Sequence, residues 1–179
     1  MFKHVYADGN VKTLAELVQD DRPITYGVIK PGAFVETGTY LVKVKDMCDG
    51  KINVDGLVKI TPEVDSMYSR SKLKEGDILL SIRGTVGRVV IVPKELEGAN
   101  ITQDTARISL KTDLNNYYVK CVLESPTIQD WISMHICGLA VKGINLADVR
   151  KIPIPMADDS LQKDYVNIYH QADKSGYFN

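Results

Sequence analysis

Two strand-like runs separated by a pair of glycines constrain the fold of this chain more than any other feature. Residues 77–82 (DILLSI) and 88–92 (RVVIV) consist largely of aliphatic and β-branched side chains, a composition that favours strands. Between the runs, Gly84 and Gly87 allow the backbone angles that a sharp reversal requires. The sequence therefore predicts two antiparallel strands joined by a tight turn.

The loop between these strands is a candidate binding element rather than a phosphate site. No Lys-Ser or Lys-Thr pair follows its glycines, and it joins two strands instead of a strand and a helix. Arg83, Thr85 and Arg88 are expected to project near its tip, where binding residues tend to lie.

Side-chain alternation predicts how these and other strands pack. Ile78 and Leu80 should face one side of their strand, and Leu79 and Ser81 the other. Residues 105–110 (TARISL) alternate polar and apolar side chains cleanly, which predicts a half-buried strand.

Further short strands are expected at residues 39–44 and 56–60, with turns between them. Short strands in this arrangement favour an α+β fold, with a twisted, mostly antiparallel sheet or a partial barrel and short helices.

Helical patterns flank this β-rich region. A short helix is expected after Thr13, which has capping-box spacing to Glu16. Residues 115–123 and 127–137 predict two more helices, and Gly138 should end the second.

The last part of the chain reads as a connector and a final helix. Residues 152–155 (IPIP) must be extended, because two prolines fix their backbone angles and lack amide donors. Asp159 or Ser160 can cap the helix that follows. One face of that helix is apolar, and it could pack on the domain's own core or on another chain; it comprises Leu161, Tyr165, Ile168, Tyr169 and Ala172.

Composition excludes several classes of protein. No run approaches the roughly 18 apolar residues that span a membrane, and the first residues do not read as a secretory signal. Three cysteines without a CxxC pair suggest a reducing, cytoplasmic setting. The net charge of −1 argues mildly against a strong nucleic-acid binder, although residues 70–111 carry eight Lys/Arg against five Asp/Glu.

Motifs of catalysis and cofactor binding are missing from the sequence. It contains no GxGxxG, no HExxH, no nucleophile elbow and no methyltransferase tetrapeptide, and its three histidines lie far apart. We therefore expect no cofactor and no chemistry of the chain's own, although scattered residues could still assemble an active site.

Four segments together resemble the specificity subunit of type I restriction-modification systems, in particular one of its target-recognition domains. The strongest is residues 73–88 (LKEGDILLSIRGTVGR). The others are residues 26–28, residues 40–44 followed by 50–52, and residues 143–155 (GINLADVRKIPIP). Each piece alone is weakly specific, but their order and spacing span nearly the whole chain.

The resemblance implies a domain that reads one half of a split double-stranded DNA target for an adenine methyltransferase (modification) subunit and, in the full complex, a restriction subunit. It implies a DNA target-recognition domain over residues 1–155 and the start of a conserved helical region over 156–179. Gln162 falls where the family commonly has a Glu-Gln pair. Full specificity subunits resemble two such domains, so this chain is expected to be a half-length subunit or a fragment. A half-length subunit could pair with a second copy through its C-terminal helix.

The DNA-contacting residues are expected among basic and amide side chains of the predicted loops. Such side chains bind phosphates or match the donors and acceptors of the major groove. The candidates are Lys30, Arg70, Lys72, Arg83, Thr85, Arg88, Gln103, Arg107 and Lys142. The alternative function from a different class is a β-rich module that binds a protein or a glycan and does not bind DNA.

Overall fold

The structure is a computed structural model that describes residues 10–138 and 142–174, without the side chains of residues 169, 170 and 172–174. It confirms the predicted α+β class. Within the described ranges, the strands form four small sheets and do not close into a barrel. The strands are β1 (Val11–Thr13), β2 (Thr25–Tyr26), β3 (Thr39–Val42), β4 (Met47–Cys48), β5 (Lys51–Ile52), β6 (Val58–Ile60), β7 (Ile78–Ser81), β8 (Val89–Ile91), β9 (Asn100–Ile101), β10 (Thr105–Ile108) and β11 (Pro153–Pro155).

Short helices surround these sheets, and a longer one ends the described chain. They are α1 (Leu14–Leu17), α2 (Pro62–Met67), α3 (Asn116–Glu124), α4 (Pro126–Met134), α5 (Leu146–Val149) and α6 (Asp159–Lys174). Single turns of 3-10 helix cover Val44–Asp46, Ser69–Ser71 and Lys94–Leu96.

The predicted pair, β7 and β8, forms one side of the largest sheet, whose order is β2-β10-β7-β8 and whose pairs are all antiparallel. The predicted alternation along β7 is confirmed. Ile78 and Leu80 pack in the main hydrophobic core, whereas Leu79 packs in a second core on the opposite face. Because each face has its own core, the sheet is buried on both sides.

Burial on both sides contradicts one expectation. All four residues of β10 are buried, so the prediction of a half-buried strand at residues 105–110 is wrong. The strand lies between β2 and β7, and its polar residues face other buried polar groups instead of solvent.

A second sheet, with the order β6-β3-β9, contains one parallel pair, β3 with β9. Its strand β3 is shorter than the predicted 39–44, because the chain enters a 3-10 turn at Val44. The hairpin of β4 and β5 packs beside β8.

Helices α1, α3 and α4 start within one residue of their predicted positions, whereas α2 and α5 were not predicted. Thr13 and Glu16 form the expected capping box, and the Asn115 side chain caps α3 by accepting from two backbone amides. Helix α4 ends at Met134, earlier than predicted, and Cys137 then pairs with Gly143 through two backbone hydrogen bonds.

Strand β11 contains the predicted Pro-rich connector and pairs with β1. The final helix, α6, is capped by Asp158, whose carboxylate accepts a hydrogen bond from the Leu161 amide. Neither of the expected caps, Asp159 or Ser160, has this role. One side of α6 faces the main core through Tyr165 and Val166, while Leu161 lies outside it with 43% of its surface exposed.

Candidate nucleic-acid interface

The loops at one end of the largest sheet lie next to each other and form what we call the hairpin edge. It comprises residues 28–30, 43, 82–88, 102–104 and 142–143. The backbone amides of Ile82 and Arg83 both donate to the Asp104 carbonyl, at 2.8 and 3.2 Å. Gly143 bridges to Arg83, and the Ile144 amide donates to the Ile82 carbonyl at 3.0 Å. These bonds join three loops that are distant in sequence.

Two further hydrogen bonds bring the second sheet to the same edge. The Gln103 amide donates to the Val28 carbonyl at 2.9 Å, and the Thr102 amide donates to the Val42 carbonyl at 3.2 Å. Lys30 and Lys43 therefore lie on segments anchored beside residues 102–104.

Five of the nine candidate residues lie at the hairpin edge with side chains that reach its surface. Lys30, Arg83, Thr85 and Lys142 are exposed, and Gln103 is half-buried. The Arg83 guanidinium has no hydrogen bond or ion pair to any described residue, so it is available to an external partner. The structure thus brings together candidates from four separate loops.

Arg88 belongs to this edge, but its guanidinium points inward. Its Nη1 donates to the carbonyls of Val44 at 3.1 Å and Met47 at 2.9 Å. Because these bonds join the turn to Val44 and to the first residue of β4, the Arg88 side chain stabilises contacts within the domain. The expectation that it projects from the loop tip is wrong.

Lys72 and Arg107 also have internal roles. The Lys72 ammonium pairs with the Asp65 carboxylate at 2.5 Å and donates to the Gly98 carbonyl. Arg107 is only 2% exposed and donates to the carbonyls of Pro23 and Arg70. As a DNA contact, Arg107 is a wrong prediction, because a side chain in the protein interior cannot reach a duplex.

The surroundings of Arg107 form a buried polar network. Arg107 and Arg22 both donate to the Ser109 hydroxyl, and Ser109 in turn donates to the Asp77 carboxylate at 2.5 Å. Burial, and secondarily the positive charge of Arg22, lower the pKa of Arg107 to about 10. Arg107 still carries its charge at neutral pH, so the interior holds two arginines beside one carboxylate.

Arg70 is exposed but separate from the hairpin edge. It lies on the 3-10 turn Ser69–Ser71, and its backbone carbonyl accepts from the buried Arg107. Its turn is not among the loops that backbone hydrogen bonds join at the hairpin edge, and a DNA contact by Arg70 stays a prediction.

Sequence reasoning missed two pairs of lysines and aromatic rings. Lys43 lies 4.5 Å above the ring of Phe34, which is 50% exposed, and Lys59 lies 4.8 Å above the ring of Tyr40. Such pairs occur about once per 70–80 residues in proteins, so their presence alone does not mark a contact surface, but Lys43 lies on a segment anchored at the hairpin edge. The only sequence signal for these pairs is that Lys43 lies within residues 40–44, one of the segments that resemble the family.

The described residues offer neither a metal site nor a membrane-spanning helix. They contain no group of three His, Cys, Asp or Glu side chains that could hold a metal ion. Their helices include none that is long and apolar enough to cross a membrane.

Comparison with known proteins identifies the family. The protein-family model for the type I restriction modification DNA specificity domain matches residues 15–176 of this chain. The chain is 32% identical over 165 residues to the type I restriction enzyme EcoBI specificity subunit of Escherichia coli. The aligned region comprises 92% of this chain and 35% of that subunit. It therefore spans about a third of the length of that curated relative.

Solved structures agree on the fold. The chain aligns over 92% of its length with 38% of the type I restriction-modification S subunit from M. genitalium, with 15% identity and a TM-score of 0.56. It aligns equally far with 37% of the HsdS subunit from Thermoanaerobacter tengcongensis, with 17% identity and a TM-score of 0.65. A third match is a chain from a structure of complex assembly and conformational transition of the type I R-M system. The alignment comprises 92% of this chain and 38% of the matched chain, with 18% identity and a TM-score of 0.68. The protein belongs to the family of type I restriction modification DNA specificity domains.

Proposed function

We propose that this chain recognises one half of a split DNA target through the hairpin edge and directs a separate methyltransferase to it. The observation that carries the proposal is the convergence of exposed Lys30, Arg83 and Lys142 with Thr85 and Gln103 at one end of the sheet. Cations and an amide on neighbouring loops can hold a phosphate backbone and read base edges at the same time.

Each side chain has a role that follows from its chemistry. Lys30 and Lys142 neutralise phosphates, since an ammonium group is a compact point charge. Arg83 reads a guanine through paired donors, and Gln103 reads an adenine through its amide. Asp104, between these two on the edge, can accept from the amino group of a cytosine. Phe34 and Lys43 extend this surface toward the second sheet.

The chain supplies recognition, and its partners supply chemistry. The matched relative is named as the specificity subunit of a type I restriction enzyme. We propose that a modification subunit methylates adenine, that a restriction subunit joins the full complex in the cytoplasm, and that no catalytic step uses residues of this chain. Residues 1–155 then form the recognition domain, and 156–179 begin a helical docking region.

The outer face of α6 is the proposed docking surface. Leu161 is 43% exposed and Ile168 is 48% exposed, whereas Gln162 and Tyr165 face the domain. A second copy of the chain would supply the other half-site reader. Changing both Leu161 and Ile168 to glutamate should abolish association, detected by light scattering, and leave duplex affinity per chain unchanged. Association that survives this double change would contradict the assignment.

A salt titration of duplex binding tests the proposed function. Each phosphate neutralised by the protein contributes a slope of about −0.9 to a plot of log affinity against log salt concentration. Wild-type protein should show a steep negative slope, and Lys142→Ala should reduce it by about 1. Binding that does not depend on salt, or no duplex binding with capture of a protein or glycan instead, would contradict DNA recognition.

A further inference from the structure

The loop between β7 and β8 is longer than a tight hairpin, yet it is firmly anchored. It comprises residues 82–88, and at its tip Arg83, Gly84 and Thr85 are all exposed. Surface loops of this length are mobile unless side chains or backbone bonds fix them. Here Val86 packs against the main core, so only the outermost residues face solvent.

Ser81 fixes the inner part of the loop. Its hydroxyl donates to the Thr85 carbonyl at 2.6 Å and accepts from the Arg88 amide at 2.8 Å. Its backbone carbonyl accepts from the Gly87 amide at 3.0 Å. Ser81 alone therefore hydrogen-bonds to three residues of the loop, Thr85, Gly87 and Arg88.

Gln129 fixes the loop from outside, across 42 residues of sequence. Its Nε2 donates to the Gly87 carbonyl at 3.0 Å and to the Leu123 carbonyl at 2.8 Å. Both protons of the amide group are thus used, one on the turn and one on the last turn of α3. Gln129 lies in the first turns of α4, where Ser125 caps the helix and Ile128 is buried, so its own position is fixed.

Gly87 fits against Gln129 without space for a side chain. A Cβ atom at Gly87 would lie 2.4 Å from Oε1 of Gln129, and the glycine has a φ of +96°. A side chain at Gly87 would therefore displace the Gln129 amide group from its hydrogen bond to the turn.

We propose that Gln129 is a positioning residue for DNA recognition: its amide clamps the Gly87 turn, so Arg83 and Thr85 are held in their binding arrangement before DNA arrives. This inference rests on the proposed function. Ordering a loop during binding reduces affinity, and a loop that is already ordered avoids that loss. Gln129 is half-buried and lies behind the turn, so it acts through the loop and does not contact DNA.

The test replaces Gln129 with methionine, which keeps the length of the side chain and removes both donors. Gln19→Met is the matched control, because it removes a similar amide bond, Gln19 Nε2 to the Leu110 carbonyl at 2.8 Å, away from the hairpin edge. Affinity is measured by fluorescence anisotropy on two probes. One is the duplex that wild-type protein selects from a randomised pool, and the other is a scrambled duplex of equal length.

Gln129→Met should bind the selected duplex roughly five- to tenfold more weakly, with scrambled-duplex affinity and salt slope unchanged. Hydrogen exchange at the Gly87 and Arg88 amides, which both donate to Ser81, should accelerate. In an Arg83→Ala background the same change should add little, because both act through one loop. Gln19→Met should bind both duplexes as wild type does.

Three results would overturn the inference. They are equal affinity of Gln129→Met and wild type for the selected duplex, equal losses on both duplexes, and full additivity with Arg83→Ala. Gln129→Ala provides the same comparison if the methionine variant unfolds. If wild-type protein selects no duplex at all, the proposed function itself fails, which is a different outcome from a wild-type binder with an indifferent Gln129 variant.

Discussion

Replacing Asp77 with asparagine should destabilise the fold more than any surface substitution, because Asp77 is the carboxylate at the centre of the buried network. Its Oδ2 accepts from Arg22 Nη2 at 2.7 Å and from the Lys74 amide at 2.8 Å, and its Oδ1 accepts from the Ser109 hydroxyl. Asparagine keeps the shape but removes the negative charge. Arg22 and Arg107 would then lose their hydrogen-bonded counter-charge, and only the exposed Asp21 carboxylate would still act on Arg107.

The expected loss is about 3 kcal/mol of unfolding free energy. Removing one partner of a buried ion pair costs roughly 3–5 kcal/mol, and the side-chain oxygen that asparagine retains should keep this loss near the lower end. A domain of this size has about 5–15 kcal/mol in total, so the protein should still fold.

Urea unfolding followed by circular dichroism measures this loss. Asp130→Asn is the matched control, since Asp130 is exposed on α4, and it should change stability by less than about 0.5 kcal/mol. An Asp77→Asn protein as stable as this control would refute the assignment of Asp77 as the charge that compensates the two arginines.

Two further predictions follow from pKa shifts. Hydrogen bonds from the Thr13 side chain, and then from its amide, lower the pKa of Glu16 below its usual 4.5, so the capping box should stabilise the protein above that pH and stop doing so as pH falls through the folded pKa. The stability difference between wild type and Glu16→Gln, measured by urea unfolding, should therefore shrink on acidification, and a difference that grew would contradict the cap. Burial raises the pKa of the Cys121 thiol to about 12, so iodoacetamide should label exposed Cys48 and Cys137 at neutral pH and leave Cys121 intact. Mass spectrometry of the native protein checks this, and fast labelling of Cys121 would contradict its burial.

The local order of the fold could be predicted from the sequence. Residues 77–82 and 88–92 carry strong strand patterns, and the glycines between them require a turn, so the pair of β7 and β8 was predicted correctly. Thr13 and Glu16 likewise specify their cap through a spacing of three residues. Turns and helix caps depend on residues a few positions apart, so they can be recognised in a single sequence.

The roles of the basic residues could not be predicted in the same way. Arg83 and Arg88 flank the same turn, yet one faces solvent and the other donates to carbonyls more than forty residues away. Arg107 alternates correctly for an exposed position, but the sheet face to which it points is covered by the chain at Pro23 and Arg70. Gln129 shows no local pattern at all, because its partner Gly87 is brought to it only by the packing of α4.

Selection of duplexes from a randomised pool tests the central claim most directly. Wild-type protein should enrich one short recurring motif, and Gln103→Ala and Arg83→Ala should each relax a different position within it, at a cost of about 1–3 kcal/mol for the original base pair. Enrichment of no motif, or of the same motif with every position intact in both variants, would contradict sequence recognition by the hairpin edge.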